Sequence, residues 1–252
     1  MIIKPLRPED APVVQQLLQE NVPEEIYTKT IYHLSGYVDY VTGILKQNES
    51  SNPLRYYGAY VEDDFAGFTE HYCKKGTGAT HWNNLYLLDR YRADGIGKLL
   101  QQKTFDEARE DASHTLTLDV FDWNTGPLKW YRRLGASYES TNHWMTSSHP
   151  LLKKEKASYY LHNKLASDLF YEKYGFAELN LQTPTGDYRI GVLGDTYFRI
   201  TDTAVFKDLH VFHALRELDP ERELLFIVPY IDEDILDDIQ FVATSYRLHV
   251  SL

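Results

Sequence analysis

The stretch RYRADGIGKLLQQ, residues 90–102, decides the fold of this chain. Gly95 and Gly97 lie where the strand-like pattern HWNNLYLL (81–88) gives way to a helical period, so the chain is predicted to pass from a strand through a tight turn into a helix. Glycines let the backbone approach a ligand closely, and the first N–H groups of a helix point at any anion beyond it. The segment is either an ordinary strand-to-helix turn or a phosphate-binding turn.

The elements around this turn predict an α/β fold with a mixed sheet flanked by helices. Strand alternation and helical periodicity give a clear order, with loop chemistry in NESSNP (48–53). The predicted elements are a strand in MIIKPL, a helix opened by Pro8, a helical region at 24–46, a hairpin of strands 55–61 and 65–73 around Glu62–Asp64, a strand at 81–88, a helix from Gly95 with Ile96, Leu99, Leu100 and Ala108 on one face, a strand at 115–121, a helix at 125–134, and brief strands near 136–140 and 143–147.

Residues 151–252 predict a second, smaller α/β domain after a first domain of residues 1–150. Its pattern runs from a helix with Leu161, Leu165 and Leu169 to a hairpin about Gly194, a helix, a strand and a final pair of strands. This order parallels the first domain, so we interpret the segment as a shortened, degenerate copy of the same fold. RITDTAVF (199–206) has no glycine between strand and helix, so no cofactor is expected there.

Composition excludes several classes of function. The 252 residues are 43% hydrophobic and 25% charged, and the formal charge of −11 divides into −5 over residues 1–150 and −6 over 151–252. With no stripe of Lys and Arg, a nucleic-acid partner is not expected. No apolar run reaches the roughly 20 residues that cross a bilayer, and MIIKPLRPED carries no signal core. A lone Cys73, interpreted as a small core residue, suits a reducing cytoplasm.

The turn at 92–97 resembles the signature of the GNAT superfamily of acyl-CoA-dependent N-acyltransferases. That signature is Arg or Gln, two residues, Gly, one residue, and Gly or Ala, set between a strand and a helix; here it is Arg92 to Gly97. DVFDWNTGPLKWYRRLGA (119–136) is similar to the second conserved block of the family. The resemblance covers residues 1 to about 148 and implies an acyltransferase, and the lone Cys73 leads us to expect it in the cytoplasm.

The resemblance implies a site for acetyl-CoA. Backbone N–H groups would hold the pyrophosphate, the end of the strand at Leu87 and Leu88 would pair with the pantetheine arm, and Asn124 would contact the cofactor. Asp89 and Ala93 stand where the family often has Pro and Gly, and neither change removes an N–H donor. The residues whose backbone would bind the pyrophosphate are Arg92, Ala93, Asp94, Gly95, Ile96, Gly97 and Lys98.

Three side chains are candidates for the chemistry. The resemblance makes Tyr131 the general acid for the departing thiolate, although one of 20 tyrosines can equally be a core aromatic. Many relatives carry a glutamate eleven positions before the signature Arg or Gln, where this chain has His81, which can abstract a proton at neutral pH or be structural. Glu70 on the neighbouring strand is the alternative base, unless it is a solvated edge residue.

The leading hypothesis is therefore an N-acetyltransferase that moves an acetyl group from acetyl-CoA to a primary amine of a small molecule or peptide by direct attack in a ternary complex. A non-catalytic acyl-CoA sensor and an interaction protein are the alternatives, and a monomer or a homodimer is expected. The acidic stretch 232–238 is either a clamp for a cationic substrate or a solvated loop; its spacing matches no metal-binding loop, so no metal is expected.

Overall fold

The chain divides into two compact units. The structure, a computed structural model, describes residues 1–47, 52–74, 76–150, 158–236 and 238–252. The N-terminal unit comprises Met1–Pro23, Val38–Ser140 and Tyr246–Leu252, and the C-terminal unit comprises Glu24–Tyr37 and Thr141–Ser245. A single cut along the sequence does not separate these units, because residues 24–37 and 246–252 each belong to the unit formed mainly by the other half of the chain.

The first half of the sequence forms strands and helices that alternate as a mixed sheet requires. The predicted hairpin is present, but its turn has two residues, Glu62 (φ 51°) and Asp63 (φ 72°), because Asp64 already belongs to β3; left-handed residues in such a turn match the strand twist. The elements are β1 (Ile2–Pro5), α1 (Ala11–Asn21), α2 (Glu24–Tyr27), α3 (Tyr37–Leu45), β2 (Leu54–Val61), β3 (Asp64–Lys74), β4 (Ala79–Leu87), α4 (Ile96–Glu110), β5 (Thr115–Phe121), α5 (Thr125–Arg133) and β6 (Ser137–Ser147).

The second half repeats this arrangement with shorter elements. Its first strand is followed by a helix, three further strands, a helix and a fifth strand. The elements are β7 (Tyr160–Leu161), α6 (Lys164–Tyr174), β8 (Phe176–Gln182), β9 (Asp187–Leu193), β10 (Tyr197–Ile200), α7 (Leu209–Leu218), β11 (Glu223–Val228) and β12 (Gln240–Ser251).

Strand order shows that the two units share one topology. The N-terminal unit has the order β1-β2-β3-β4-β5, followed by the end of β12 and the start of β6, and the C-terminal unit has β7-β8-β9-β10-β11, followed by β6 and β12. In both units the fourth and fifth strands are parallel, and the strand pairs β1–β2, β2–β3, β3–β4, β7–β8, β8–β9, β9–β10 and β6–β11 are antiparallel. The predicted mixed α/β fold is confirmed, and each unit is completed by the closing strand of the other half of the sequence.

The core of the N-terminal unit lies between the sheet and α4. Ile96 and Leu100 pack on Ala59 and Ala66, and farther along the helix Phe105 and Ala108 pack on the central strands. Leu99, predicted on the same face, is 41% exposed, because its position lies about 60° around the helix from Ile96 and about 100° from Leu100. The prediction of a helix from Gly95 is otherwise confirmed, with Gly95 as its N-cap.

Several predicted elements were wrong in extent. Residues 24–46 form two helices separated by a 3₁₀ turn, Ile31–His33, capped by Thr30. Gly36 lies in this break, where a Cβ would stand 2.5 Å from the Tyr174 Cα, so close packing within the C-terminal unit interrupts the helix. Both closing pairs of strands are single long strands, β6 and β12.

The predicted helix with Leu161, Leu165 and Leu169 begins only at Lys164. Leu161 belongs to β7, and Leu165 and Leu169 are exposed rather than buried. Residues 48–51 of the predicted loop NESSNP lie outside the described residues. None of the helices in the described ranges combines the length and apolar character that a membrane crossing requires.

Candidate functional site

A cleft opens between β4 and β5 in the N-terminal unit. The two strands pair only from Ala79 to Trp82 on β4 and from Thr115 to Leu118 on β5. Beyond Trp82, β4 continues to Leu87 paired with β3 alone within the described part of the chain. The two strands therefore separate, and the edge of β4 that faces the gap keeps backbone groups available to an extended ligand.

The end of β4 prepares this cleft. Leu87 pairs with Gly67 on β3, and Leu88 follows the strand with its N–H donated to the carbonyl of Ala66 (2.9 Å). A β-bulge lies at Asn83, because Glu70 pairs with Asn84 whereas His71 pairs with Trp82. A bulge bends its strand and re-aims side chains, so it lies where β4 must leave β5.

The turn between β4 and α4 forms a concave group of N–H donors. Ala93 (φ 73°) and Gly95 (φ 77°) are both left-handed, on either side of Asp94. Successive N–H groups in such a turn point toward one spot and bind anions. The Arg92 N–H donates to the Asp89 carbonyl and the Lys98 N–H to the Gly95 carbonyl.

Five N–H groups remain in this turn, from residues 93 to 97. Across the described residues, none of them donates to a backbone carbonyl. The start of α4 adds the positive end of a helix dipole. The turn is exposed from Arg92 to Gly95 and again at Lys98, whereas the side chain of Ile96 is buried in the core. The turn therefore has the donors that a pyrophosphate needs.

Side chains brace the turn from outside. Arg92 donates to the Asn21 side chain (2.6 Å) and forms an ion pair with Asp89 (2.9 Å). Ala93 adopts a conformation that costs an L-residue about 1 kcal/mol, where the family often has glycine. No Cβ contact would arise at Gly95, whose surroundings are open to 4 Å. The turn thus stays open although Ala93 stands in place of a third glycine.

Tyr131 and Asn124 lie on α5, directly after β5. The Tyr131 ring packs edge-on against Trp82, with ring centroids 5.7 Å apart, and stacks on Trp130 at 5.5 Å. Burial raises the pKa of Tyr131, so the phenol keeps its proton at neutral pH. Its hydroxyl has no hydrogen-bond partner among the described residues. Asn124 is the exposed N-cap of α5, and its side chain makes no capping hydrogen bond.

Glu70 is buried, which excludes the solvated edge residue that the sequence allowed. It is 5% exposed, and its two oxygens accept from the side chains of Asn83 (2.8 Å) and Asn84 (2.6 Å). Tyr56 also donates to it. Burial raises the pKa of this carboxyl, while the three donors lower it less. Glu70 thus holds both residues of the bulge in β4.

His81 lies on the same face of the sheet as Glu70. Trp82 and Thr69 contact α4 residues, so strand alternation directs their neighbours His81 and Glu70 to the opposite face. The His81 Nδ1 hydrogen-bonds with the Thr117 hydroxyl (2.9 Å), and its Nε2 stands 3.7 Å from the Asp119 carboxylate. The imidazole is only partly buried, which leaves it reachable from solvent.

Tyr86 was missed by the sequence analysis and connects two of the candidates. Burial first, and then the charge of Glu70, raise the pKa of Tyr86 to about 12. Tyr86 in turn contributes to the raised pKa of Tyr131. Glu70, Tyr86 and Tyr131 are therefore neighbours. The only signal in the sequence was the strand position of Tyr86, two residues from Asn84 and on its face.

The other candidates lie away from this site. Cys73 is buried, as predicted, and burial raises the pKa of its thiol to about 12. His71 shares the α4 side with it and is stacked on Tyr57. Among the described residues, no three His, Cys, Asp or Glu side chains are grouped to hold a metal ion.

The corresponding turn in the C-terminal unit is built differently. β10 has four residues and all four pair with β11, so these strands do not separate. The Asp202 carboxylate accepts the Ala204 N–H (2.8 Å), and the Asp208 carboxylate accepts the His210 N–H (3.0 Å) at the start of α7. Carboxylates of the chain itself thus take the donors that an external anion would use.

The strand order, the cleft between β4 and β5 and the N–H turn after β4 define the GNAT class of fold. Residues 15–136 match the model of the acetyltransferase (GNAT) family. The predicted resemblance is confirmed. None of the curated proteins matches the sequence.

Solved structures extend the likeness to the whole chain. A putative acetyltransferase from Pyrococcus horikoshii superimposes with a TM-score of 0.63 at 14% identity, over 100% of this chain and 89% of its own. A tandem GNAT protein from the clavulanic acid biosynthesis pathway gives 0.62 at 12%, over 99% and 98%. The PaiA N-acetyltransferase of Thermoplasma acidophilum, solved with coenzyme A, gives 0.47 at 18%, over 55% and 91%. The full-length matches confirm a second GNAT-like domain.

Proposed function

We propose that this protein is an N-acetyltransferase that transfers the acetyl group of acetyl-CoA to a primary amine of a small molecule or peptide by direct attack in a ternary complex. The observation that carries the proposal is the cleft between β4 and β5, which ends at five N–H groups without backbone acceptors among the described residues. Both features serve an extended ligand with an anionic end. Both lie within residues 15–136, the stretch that matches the acetyltransferase (GNAT) family model.

The residues of the N-terminal unit fit coenzyme A. The N–H groups of residues 93–97 would bind the pyrophosphate, and the open edge of β4 up to Leu87 would pair with the amides of the pantetheine arm. Asn124 would add a contact through its side chain, which makes no capping hydrogen bond to α5. Acetyl-CoA supplies an activated acetyl group and a thiolate that leaves. The chain must then take one proton from the amine and return one to sulfur.

His81 is the base in this proposal. The Nδ1 of its ring hydrogen-bonds with the Thr117 hydroxyl, which orients the imidazole, and His81 would take a proton from the substrate ammonium, directly or through a water, so that the neutral amine can attack. Asp119 at 3.7 Å would then stabilise the imidazolium. Glu70 is less suited, because it is buried and both its oxygens already accept hydrogen bonds. We assign Glu70 to holding the bulge of β4.

Tyr131 is the acid. Its ring is fixed by Trp82 and Trp130, while its hydroxyl has no partner among the described residues. Since the pKa of Tyr131 is raised, the phenol is protonated at neutral pH and has a proton to donate to the sulfur as the carbon–sulfur bond breaks. A Tyr131 so placed would deliver the proton that the sulfur needs.

Binding can be tested by calorimetric titration with CoA and acetyl-CoA. We expect Gly95→Glu to weaken binding at least ~100-fold, about 3 kcal/mol, because a carboxylate would enter the anion site. Gly76→Glu is a matched control, since Gly76 is also left-handed (φ 77°) with open surroundings. Wild-type protein that binds neither compound would refute the proposal, and equal losses in both variants would trace the effect to backbone strain.

Turnover separates the enzyme from an acyl-CoA sensor. On a panel of amines, we expect His81→Ala to lower kcat/KM roughly 100-fold with CoA affinity retained. Glu70→Gln keeps the size of the side chain and tests its role in the bulge, so it should change stability more than the pH dependence. If the fall of kcat/KM at low pH disappeared in Glu70→Gln but persisted in His81→Ala, Glu70 would be the base. Binding with no turnover on any amine would favour the sensor.

A further inference from the structure

An arginine from the last strand stands beside the proposed base. Arg247 donates from Nε to one oxygen of Asp119 (2.8 Å) and from a terminal nitrogen to the other (2.6 Å). The second of these oxygens is the one 3.7 Å from the His81 Nε2. Thr117, Asp119, His81 and Arg247 thus form a continuous polar row in the N-terminal unit.

Packing fixes Arg247 in this row. Leu248 and Val250 are buried with Trp82, Leu116 and Leu118 on the side of the sheet covered by α4. Strand alternation therefore directs Arg247 to the opposite face, which carries His81. Its two parallel hydrogen bonds to one carboxylate hold Asp119 in a single orientation.

We propose that Arg247 is a positioning residue that sets the basicity of His81 through Asp119, so that residues 246–252 complete the active site. A carboxylate beside an imidazole favours its protonated form, and a guanidinium bound to that carboxylate opposes this effect. Arg247 thereby keeps His81 neutral, and able to accept a proton, at lower pH than Asp119 alone would allow. The catalytic consequence rests on the proposed function, whereas the charge coupling does not.

Other charged and titratable groups lie on the elements next to β4 and β12. β3 contributes Tyr72, paired with His81, and the buried Glu70. α1, which contacts β4, carries Glu20, whose carboxylate accepts from Gln16. Glu139 of β6 lies near Arg247 and favours its charged form. Asp119 stands within ion-pair distance of His81, and the two substitutions below act on this pair and on the arginine bound to it.

The experiment is an NMR titration of the His81 ring in the full-length protein, with the signal assigned by His81→Gln. We expect Arg247→Met to raise the His81 pKa and Asp119→Asn to lower it, each by about 0.5 to 1 unit, because these charges act at short range on a partly exposed group. Arg247→Lys keeps the charge without the two-pronged contact and should give a smaller rise. Arg109→Met, which removes the exposed ion pair with Asp106, is the control.

Activity provides the second readout. The acidic limb of the pH profile of kcat/KM should move with the titrated pKa in each variant. Unchanged or equal shifts for Arg247→Met and Asp119→Asn would overturn the proposal. A shift of the same size in the His81 pKa of Arg109→Met would also overturn it. So would a change in the His81 pKa that leaves the acidic limb of the kcat/KM profile in place. Opposite shifts in a protein that acetylates no amine would support the charge coupling and refute the proposed function.

Discussion

The strand-to-helix turns of the two units differ in which groups accept hydrogen bonds from their backbone N–H donors. After β4 the turn has left-handed residues at Ala93 and Gly95 and leaves the N–H groups of residues 93–97 without backbone acceptors in the described chain. After β10, Asp202 and Asp208 accept the corresponding kind of donors. One fold can thus keep or lose an anion site without changing its strand order, by supplying the anion from its own side chains.

The strands before these turns differ in the same sense. β4 extends five residues beyond its last pair with β5, whereas β10 is paired with β11 along its whole length. A cleft needs both a departing strand and an open turn. The C-terminal unit has neither, so we expect the two units to respond differently to the substitutions below.

The largest difference is expected between Tyr131 and Tyr171, each of which lies on a helix four residues before a left-handed glycine. Tyr131→Phe should lower kcat about 100-fold with unchanged CoA affinity, because the proton for the thiolate is lost. Tyr171 donates to the Gly194 carbonyl (2.8 Å) and accepts from Arg222 (3.0 Å), so Tyr171→Phe should cost about 1 kcal/mol of stability and no activity. Steady-state kinetics and thermal unfolding check both. Equal kinetic losses would contradict the assignment of Tyr131.

Acid should open the N-terminal unit first. Burial lowers the pKa of His71 to about 4, and both ring nitrogens lack hydrogen-bond partners in the described structure. Since its unfolded pKa is about 6.5, the unfolded state binds more protons as the pH falls from 6.5 to 4, which removes up to roughly 3 kcal/mol of stability. His149 in the C-terminal unit also has a pKa lowered by desolvation, but it is only partly buried and hydrogen-bonds with the Asp219 carbonyl.

Hydrogen exchange of peptides from each unit between pH 7 and 4.5 measures this difference. His71→Phe should flatten the pH dependence of the N-terminal unit alone. The C-terminal unit should hold longer, because the lowered pKa of Asp208 keeps its contribution until the pH falls below about 3.9, the usual value of a free carboxyl. Simultaneous opening of both units in the wild type would remove this distinction.

Asp208→Ala should destabilise the C-terminal unit by roughly 2 kcal/mol, since a buried cap and two hydroxyl partners would be lost together. Asp208 is 3% exposed and accepts from Thr183, Thr185 and the His210 N–H. Asp202→Ala, at an exposed cap, should cost less than 1 kcal/mol. Denaturant unfolding measures both changes, and a change in CoA affinity in either variant would argue against a site confined to the N-terminal unit.

The smallest effect is expected at Asp94, the exposed acidic residue inside the N–H turn. Asp94→Asn should strengthen CoA binding about two- to threefold, because one negative charge near the pyrophosphate is removed. The gain should shrink at high salt. Asp187→Asn, an exposed acidic residue of the C-terminal unit, serves as the control. Titrations in which the two variants behave alike would mean that only net charge matters.

Much of the fold could be predicted because its signals are local. The hairpin at Glu62 and Asp63, the strand 115–121 and the helix after Gly95 follow from alternation, period and turn residues a few positions apart. The family block around Tyr131 added the acid candidate. The break at Gly36 could not be predicted, because it arises from contact with Tyr174, a residue distant in the sequence.

The sequence by itself determined the elements, the repeated order and the glycine turn that lets the backbone expose its N–H groups. Tertiary structure alone decided the burial of Glu70, the place of Tyr86 and the use of each closing strand by the other half of the chain. Asp119 and Arg247 are 128 positions apart, yet Arg247 donates hydrogen bonds to both oxygens of the Asp119 carboxylate. Such pairs depend on strand register across the folded sheet, which no short-range pattern encodes.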